Sequence, residues 1–236
     1  MCYSNSLSAN IVQLERTYQK AATPQLDLFS PIYYASGFSF PIWPCITAQD
    51  EIVSMHWGLV PVWYRGGEFQ AIASKTLNAR VESLSEKASF KHLVQANRCI
   101  IPSTGFFEFQ SHGTQKKPFF IFPKTHSFFH MAGLYDTWVN MSTRQSYHSF
   151  TIITTEANSM MAEIHNVKKR MPLLIDPSHI QDYLQGSASL ASVVPLEEQY
   201  MTNHPVQKRI LFSTNNNIPE VQAVYNDNIG IQGSLF

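Results

Sequence analysis

The chain has 236 residues, which is enough for one large domain or two small ones with a sizeable core. Its 17 basic and 17 acidic residues give a net charge of zero. This balance excludes a global basic field for nucleic acid, so such a partner would need a local patch. The sequence has no apolar run of membrane-spanning length and no signal-type N-terminus, so we expect no membrane partner and a cytoplasmic location.

The numbers of cysteine and aromatic residues indicate the compartment and the kind of fold. Cys2, Cys45 and Cys99 are an odd number at unrelated spacings, and they form neither a disulfide framework nor a zinc pattern. We therefore expect a reducing compartment, no metal site and no cofactor. The 16 Phe, 10 Tyr and 4 Trp residues favour a compact, sheet-rich fold.

The first half of the chain predicts one clear helix and several short elements. Residues 9–20 have apolar side chains at helical spacing, and Ser8 is a candidate cap. Residues 21–44 are rich in Pro, Ser and aromatics without a clear period, which indicates irregular structure with short strands. A strand with a Pro-broken turn, a polar loop and a short helix are predicted at residues 52–63, 75–82 and 85–96.

The second half predicts mainly strands. Strand-like pieces separated by turn tracts occupy residues 98–101, 105–110, 118–122, 127–138 and 147–154. They are followed by helical turns, a short strand, a helix and a last strand-like piece at residues 158–164, 172–175, 176–184 and 204–211. Without an internal repeat, this pattern predicts an α+β fold. We expect a single domain over residues 1–236, built around a twisted, mainly antiparallel, barrel-like sheet with peripheral helices.

The first two residues can give an unusual nucleophile. If Met1 is removed, the α-amine and thiol of Cys2 lie on adjacent carbons as a 1,2-aminothiol. Their reference pKa values, about 8 for the amine and about 8.5 for the thiol, leave both partly nucleophilic near neutrality. The amine attacks an aldehyde to give a Schiff base, and the thiol then closes a thiazolidine ring. Taken alone, a Cys at this position is more often incidental.

Two further places could carry chemistry, and each also has an ordinary structural interpretation. Asn78 and Arg80 offer an amide and a planar fork suited to phosphate, or they are simply solvated in a loop. Glu108 lies between Phe107 and Phe109 in a strand, on the opposite face from them. It is either a solvent-facing carboxylate or a functional acid with a shifted pKa in a pocket.

His165 and the residues around it form another candidate. It follows a short apolar helix and is either an acid–base group near neutral pH or a structural histidine. Three consecutive basic residues then precede an apolar strand, as a solvated turn or as phosphate contacts: Lys168, Lys169 and Arg170. Elsewhere, Trp63 and Tyr64 lie on a Pro-shaped loop and either pack in the core or stack on bases.

These signals occur in a fixed order along the chain. They are Cys2 after Met1, Trp57-Gly58-x-x-Pro61-x-Trp63, Asn78-Ala79-Arg80-x-Glu82, Gly105-Phe106-Phe107-Glu108-Phe109, and Ile164-His165 leading to Arg170-Met171-Pro172. The combination resembles the SOS-response-associated peptidase family, also called the SRAP domain, whose members shield abasic sites in single-stranded DNA. The resemblance covers the chain from Cys2 to about residue 206.

The resemblance implies a role for each catalytic candidate. Cys2, as the mature N-terminus, would bond the ring-opened deoxyribose aldehyde. Asn78 would orient the sugar or the Cys2 amine, and Glu108 would manage protons at the amine and the sugar hydroxyl. His165 would move the proton of the sugar oxygen. The family's peptidase name implies that the protein itself removes Met1, and an amine without the thiol would act as a lyase.

The resemblance also implies a partner, single-stranded DNA containing abasic sites. Arg80 would hold a neighbouring phosphate, Trp63 and Tyr64 would abut flanking bases, and Phe109 stands where relatives can carry Trp. We expect a monomer that is associated with the nucleoid when bound to DNA.

Two departures from the family pattern concern DNA engagement. Members commonly begin Cys-Gly-Arg, whereas this chain has Cys2-Tyr3-Ser4, and the usual Asn-x-Ala-Pro segment is replaced by residues 36–41. The basic run of Lys168, Lys169 and Arg170 would compensate for the missing early Arg. Two other classes stay open: an N-terminal cysteine hydrolase or amidase, and a non-catalytic module that binds single-stranded nucleic acid.

Overall fold

The computed structural model describes residues 2–187, 189–190, 193 and 195–226. The α-helices are α1 (Ile11–Tyr18), α2 (Phe69–Ala73), α3 (Ser159–Ile164), α4 (Ile180–Leu184) and α5 (Lys208–Leu211). The strands of the first half are β1 (Ser4–Leu7), β2 (Ala21–Ala22), β3 (Ile32–Ser36), β4 (Ile42–Ile46), β5 (Glu51–Trp57) and β6 (Asn78–Arg80). Those of the second half are β7 (Arg98–Ser103), β8 (Gly105–His112), β9 (Gln115–Pro123), β10 (Phe129–Val139), β11 (Ser146–Glu156), β12 (Arg170–Pro172) and β13 (Met201–Pro205).

Five strands close into a barrel. They are hydrogen-bonded in the order β11-β10-β7-β4-β5, and β5 pairs back with β11 in parallel, with Phe150 opposite Trp57. The other pairings in this ring are antiparallel. All six residues of β7 are buried, because closure covers the strand on both faces. The predicted α+β fold built around a barrel-like sheet is confirmed.

A second sheet carries the start of the chain. Its order is β13-β9-β8-β1-β3, so β1 lies between two partners rather than at an edge. Leu7 and Phe106 join the main core together with barrel residues such as Phe150, while Phe107 packs on the other face against Val206. One apolar core therefore connects the two sheets and fixes the N-terminal strand rigidly.

Several predicted elements need correction. Asn10, not Ser8, caps α1, and its side chain accepts from the Gln13 backbone while the Gln13 side chain accepts from the Asn10 backbone. Residues 85–96 form turns instead of the predicted helix, with Phe90 and Leu93 buried.

Two short segments were also predicted wrongly. Residues 78–80 form a strand rather than a loop, because β11 accepts them as a parallel neighbour. The strand-like piece predicted at residues 204–211 holds only the end of β13, which stops at Pro205, and is followed by the helix α5.

The single-domain assignment for residues 1–236 stays a prediction, and residues 227–236 lie outside the described part. No helix within the described ranges is long and apolar enough to span a bilayer.

Candidate functional site

Cys2 lies fully buried at the start of the N-terminal strand. β1 pairs with β8 in antiparallel register, with Asn5 opposite Phe106, so the residues before β1 run alongside Glu108. The Cys2 thiol donates to the carbonyl oxygen of Ser4 at 3.6 Å. Extended by two residues, this register puts Tyr3 opposite Glu108, and the preceding Cys2 lies within electrostatic reach of that carboxyl group.

Asn78 approaches Cys2 from the barrel. β6 pairs with β11, with Asn78 opposite Ile152, and this pairing holds the amide at the barrel's side. Its Nδ2 donates to the Cys2 carbonyl oxygen at 2.9 Å. Its Oδ1 is buried and meets no hydrogen-bond donor among the described residues. The amide thus holds the backbone of Cys2 and keeps one acceptor available for a bound group.

Glu108 and His165 face each other across the site. The distance between Glu108 Oε2 and His165 Nε2 is 4.0 Å, and both side chains are almost completely buried. His165 is the C-cap residue of α3, and its Nδ1 lies 2.8 Å from the carbonyl oxygen of Arg170. This short contact favours a proton on Nδ1, which leaves Nε2 as the nitrogen that faces the carboxyl group.

Burial shifts the pKa values of these groups toward their neutral forms. The pKa of Glu108 is raised from 4.5 to about 7, chiefly because its carboxylate is desolvated. Burial likewise lowers the pKa of His165. The pKa of the Cys2 thiol is raised, first by burial and then by the nearby charge of Glu108. Near neutral pH, the site therefore holds a carboxyl group that can both give and take a proton.

The structure brings all four predicted catalytic residues together. Asn78 bonds Cys2, Glu108 acts electrostatically on Cys2, and His165 lies beside Glu108. Of the two interpretations of Glu108, the structure supports a buried acid, since its exposed fraction is 5%. Met1 lies outside the described residues. Within the described ranges, no three His, Cys, Asp or Glu side chains are placed to hold a metal ion.

Of the basic residues predicted to contact DNA, three are exposed and one is held in structural bonds. Arg80, Lys168 and Lys169 are exposed, and Lys168 acts electrostatically on both Glu108 and His165. Arg170 is different, because its guanidinium is buried and makes a bidentate pair with Glu82 at 2.7 and 3.0 Å. It also donates to the Thr154 carbonyl oxygen at 2.6 Å. The prediction that Arg170 contacts phosphate is corrected, since its side chain is buried and its two terminal nitrogens are held by these structural bonds.

The two aromatic residues predicted to abut bases, Trp63 and Tyr64, differ in exposure. Trp63 is 45% exposed, and its indole nitrogen donates to Ala88 at 3.3 Å. Tyr64 is half-buried, and its carbonyl oxygen accepts from the Trp138 indole at 2.7 Å.

Phe109 stacks on Phe212, with ring centroids 5.9 Å apart. Strand alternation places Phe109 with Phe107, on the sheet face opposite Glu108. The predicted DNA contact of Phe109 is therefore not on the face that carries the catalytic candidates.

A pair of aromatic residues beside the site is not among the residues predicted to contact DNA. Tyr3 and Phe38 are in ring contact, with centroids 5.1 Å apart. The pKa of Tyr3 is raised by burial and by Glu108, which places the phenol within electrostatic reach of the site. The position of Tyr3 directly after Cys2 was the available signal, whereas nothing in the sequence links it to Phe38.

A mainly apolar cavity lies elsewhere in the described part of the chain. Its volume is about 500 Å³, and Met171, Leu173 and Leu196 are among the residues that line it. None of the four catalytic candidates lines this cavity. The candidate site is instead a polar cluster between the N-terminal strand, β8 and the end of α3.

The chain is similar to several proteins that are named abasic site processing proteins. The chain is 36% identical over 140 residues to the abasic site processing protein YoaM of Bacillus subtilis, covering 58% of each chain. It is 29% identical over 201 residues to the abasic site processing protein HMCES of Xenopus tropicalis, covering 75% of this chain and 58% of that protein. It therefore spans less than two thirds of the length of these two relatives.

Other comparisons cover more of the chain. YoqW of Bacillus subtilis, also named an abasic site processing protein, is 32% identical over 189 residues, covering 74% of this chain and 77% of YoqW. A solved protein of Bacteroides thetaiotaomicron matches with a TM-score of 0.89 and 33% identity over 95% of this chain and 100% of its own. The family model for the SOS response associated peptidase (SRAP) matches residues 1–212. The chain therefore belongs to the SOS response associated peptidase family.

Proposed function

We propose that this protein processes abasic sites in single-stranded DNA by linking Cys2 covalently to the opened sugar. The observation that carries the proposal is the convergence of Cys2, Asn78, Glu108 and His165 on one buried cluster. The names of the relatives support the same substrate, since YoaM, YoqW and HMCES are called abasic site processing proteins.

The reaction begins once Met1 has been removed and the Cys2 amine is free. The amine nitrogen attacks the aldehyde carbon of the ring-opened deoxyribose, and the resulting carbinolamine loses water to give a Schiff base. The Cys2 sulfur then adds to the same carbon, and the thiol proton passes to nitrogen, which closes a thiazolidine ring. The product has the summed mass of protein and DNA less one water.

The thiol also protects the DNA strand. A Schiff base acidifies the adjacent sugar proton, and its loss would cleave the strand by β-elimination. Ring closure by sulfur removes the iminium that accepts those electrons. An amine without the thiol would therefore act as a lyase, whereas the aminothiol gives a stable crosslink.

The neighbouring groups suit the proton transfers that these steps require. Glu108, with a pKa of about 7, protonates the departing carbinolamine hydroxyl and accepts a proton from the amine. His165 Nε2 lies within 4.0 Å of that carboxyl group and serves the sugar oxygen during ring opening. Asn78 Oδ1, buried beside Cys2 with no donor among the described residues, orients the amine or the sugar.

An N-terminal cysteine hydrolase is the second class to consider. Such an enzyme uses a thiolate, and reactive cysteines usually have a lowered pKa. Here burial and Glu108 raise the pKa of the Cys2 thiol. This electrostatic setting suits a thiol that adds after the amine has reacted better than a thiolate that attacks an amide first.

The decisive experiment mixes purified protein with a single-stranded oligonucleotide that carries one abasic site. We expect a denaturant-resistant product of the summed mass less water, formed with abasic DNA and absent with intact DNA. Cys2→Ser keeps the amine but lacks sulfur, so it should lose the stable product and show strand cleavage instead. A Cys2→Ser protein that crosslinks as stably as wild type would rule out the thiazolidine.

Two further measurements test the removal of Met1 and the oligomeric state. Intact mass determines whether Met1 is absent from the reacting protein, as the chemistry requires. Comparing Cys2→Ser and Glu108→Gln proteins by the same measurement tests whether Met1 removal depends on the site itself. We also propose that the protein is cytoplasmic and acts as a monomer, and sedimentation with and without DNA tests the monomeric state.

A further inference from the structure

Tyr3 and Phe38 together form an exposed aromatic surface next to the candidate site. Their rings are tilted by 37° with centroids 5.1 Å apart, and the Phe38 side chain is 55% exposed. Tyr3 is half-buried and follows Cys2 directly, and it lies within electrostatic reach of Glu108. A ligand that bonds Cys2 would therefore have its neighbouring groups close to these two rings.

The local backbone holds Phe38 in a defined position. Residues 37–39 form one turn of 3₁₀ helix, capped by the Ser36 hydroxyl, which accepts from the Phe38 backbone at 3.3 Å. The Gly37 backbone donates to the Tyr3 carbonyl oxygen at 2.8 Å, so the turn is tied directly to the residue after Cys2. A Cβ at Gly37 would lie 3.1 Å from the Trp57 ring, which shows how closely the turn packs on the barrel. The exposed ring is preorganised rather than free to collapse onto the surface.

The charge near these rings favours a base over a phosphate. Residues 3–4 and 36–39 include no basic side chain, and Ser4 is buried with its hydroxyl 3.2 Å from that of Tyr34. Glu108 acts electrostatically on Tyr3, and the negative form of this carboxyl group repels phosphate. Aromatic rings, in contrast, stack on the uncharged face of any nucleobase.

We propose that Tyr3 and Phe38 form a stacking platform for the nucleobase next to the abasic nucleotide. This inference rests on the proposed function and adds how the flanking nucleotide is held. Stacking grows with the area of the base, so a purine beside the lesion should bind more tightly than a pyrimidine. Because stacking releases no counterions, its contribution should not change the dependence of affinity on salt.

The test uses single-stranded DNA with a tetrahydrofuran abasic analogue, which lacks the aldehyde and cannot react. A 2-aminopurine base is placed on the 5′ side of the analogue in one oligonucleotide and on the 3′ side in another. Wild-type protein should change the 2-aminopurine fluorescence in at least one of them. Phe38→Leu, which keeps an apolar side chain but removes the ring, should abolish that change and weaken binding about tenfold.

Two further variants make the comparison specific. Tyr3→Leu should have the same effect as Phe38→Leu, because both rings form the platform. Phe212→Leu is the matched control, since Phe212 is 64% exposed and stacks on Phe109 on the opposite sheet face. It should bind like wild type, and thermal unfolding should show that the Phe38→Leu and Phe212→Leu proteins are folded.

The outcomes separate this inference from the proposed function. If Phe38→Leu binds both oligonucleotides like wild type, or if Phe212→Leu weakens binding as much, the platform is wrong. Natural abasic DNA at saturating concentration tests the chemistry independently, and there the wild-type protein should form the crosslink. A wild-type protein that shows ring-dependent stacking but forms no crosslink would keep the platform and overturn the proposed reaction.

Discussion

At the scale of single residues, the unusual feature of the site is a carboxyl group buried beside a thiol and an imidazole. Glu108 has an exposed fraction of 5% and a pKa raised to about 7. Burying an ionised carboxylate costs free energy, which proteins usually accept only where the group has a function. The cost makes a prediction about stability that does not depend on catalysis.

Replacing Glu108 by Gln should stabilise the protein at pH 8 but not at pH 5. Because the folded-state pKa lies above the ordinary 4.5, the native state binds the proton more tightly than the unfolded state. Wild-type stability therefore falls as pH rises from about 4.5 to about 7, by roughly 2–3 kcal/mol from this group, and Gln removes that loss. Thermal unfolding of both proteins at the two pH values measures the difference.

The control for this prediction is Glu86→Gln, an exposed carboxylate. It should change stability little at either pH. A Glu108→Gln protein that is destabilised more strongly at pH 8 than at pH 5 would mean that Glu108 is held ionised. The same variant should slow crosslinking about 100-fold if Glu108 transfers protons in the reaction.

At the scale of elements, the segment between α3 and β12 joins the catalytic histidine to the barrel. His165 ends α3, and its Nδ1 contacts the carbonyl oxygen of Arg170 at the start of β12. Lys169 between them adopts a left-handed backbone conformation with φ 48°. This tight turn presents Lys168 and Lys169 to solvent while it turns Arg170 inward.

We predict that Lys168→Ala combined with Lys169→Ala weakens binding to single-stranded DNA. Each lysine that neutralises a phosphate releases counterions, so the slope of log affinity against log salt should decrease by about 0.7 for each phosphate that is no longer neutralised. Lys116→Ala, an exposed lysine at the tip of the β8–β9 hairpin, is the control and should leave the slope unchanged. An unchanged slope in the double variant would remove these lysines from the DNA interface.

Arg170→Lys should destabilise the fold rather than act through DNA. Lysine cannot reproduce the bidentate pair with Glu82 and the bond to the Thr154 carbonyl oxygen. We expect a loss of about 2 kcal/mol in unfolding free energy, measured by urea denaturation. The exposed Arg209→Lys should stay within about 0.5 kcal/mol of wild type. Equal stability of both variants would contradict a structural role for Arg170.

At the scale of the whole molecule, the closed barrel is the support on which the site is assembled. Gly133 lies in β10, opposite Ile152 of β11 on one side and Cys99 of β7 on the other. A Cβ at this position would lie 2.3 Å from Ile101 Cδ1 and 2.8 Å from the Thr151 carbonyl oxygen. The strands pass too closely there to admit any side chain.

Gly133→Ala should therefore destabilise the protein by about 1–3 kcal/mol, because the new methyl group overpacks the barrel. Urea denaturation measures the change. Gly67→Ala is the matched control, since nothing lies within 4 Å of its added Cβ. If Gly133→Ala is as stable as Gly67→Ala, the barrel accommodates the methyl group and its strands are not tightly packed at this point.

The sequence predicted those strands and helices whose signal lies in the composition and periodicity of neighbouring residues. The strands containing Glu108, Leu134 and Ile152 were expected from their apolar and β-branched composition, and the helix at residues 11–18 from its periodicity. The turn-rich segment before Asn97 and the short strand at Asn78 were missed, because tertiary partners decide them. The same limit applied to Arg170, whose basic neighbours indicated exposure while Glu82 holds it inside.

The sequence alone determined the chemistry that is available: an early cysteine, an asparagine, a glutamate and a histidine in an order that resembles one family. It also determined the α+β class, because strand and helix periodicities are properties of neighbouring residues. Only the tertiary structure decided that the four side chains meet, since strand register and barrel closure bring together positions far apart in the chain, such as Cys2 and Asn78, which are 76 residues apart. It likewise decided which aromatics and cations face the site, because strand alternation and buried pairing depend on partners that are distant in the chain.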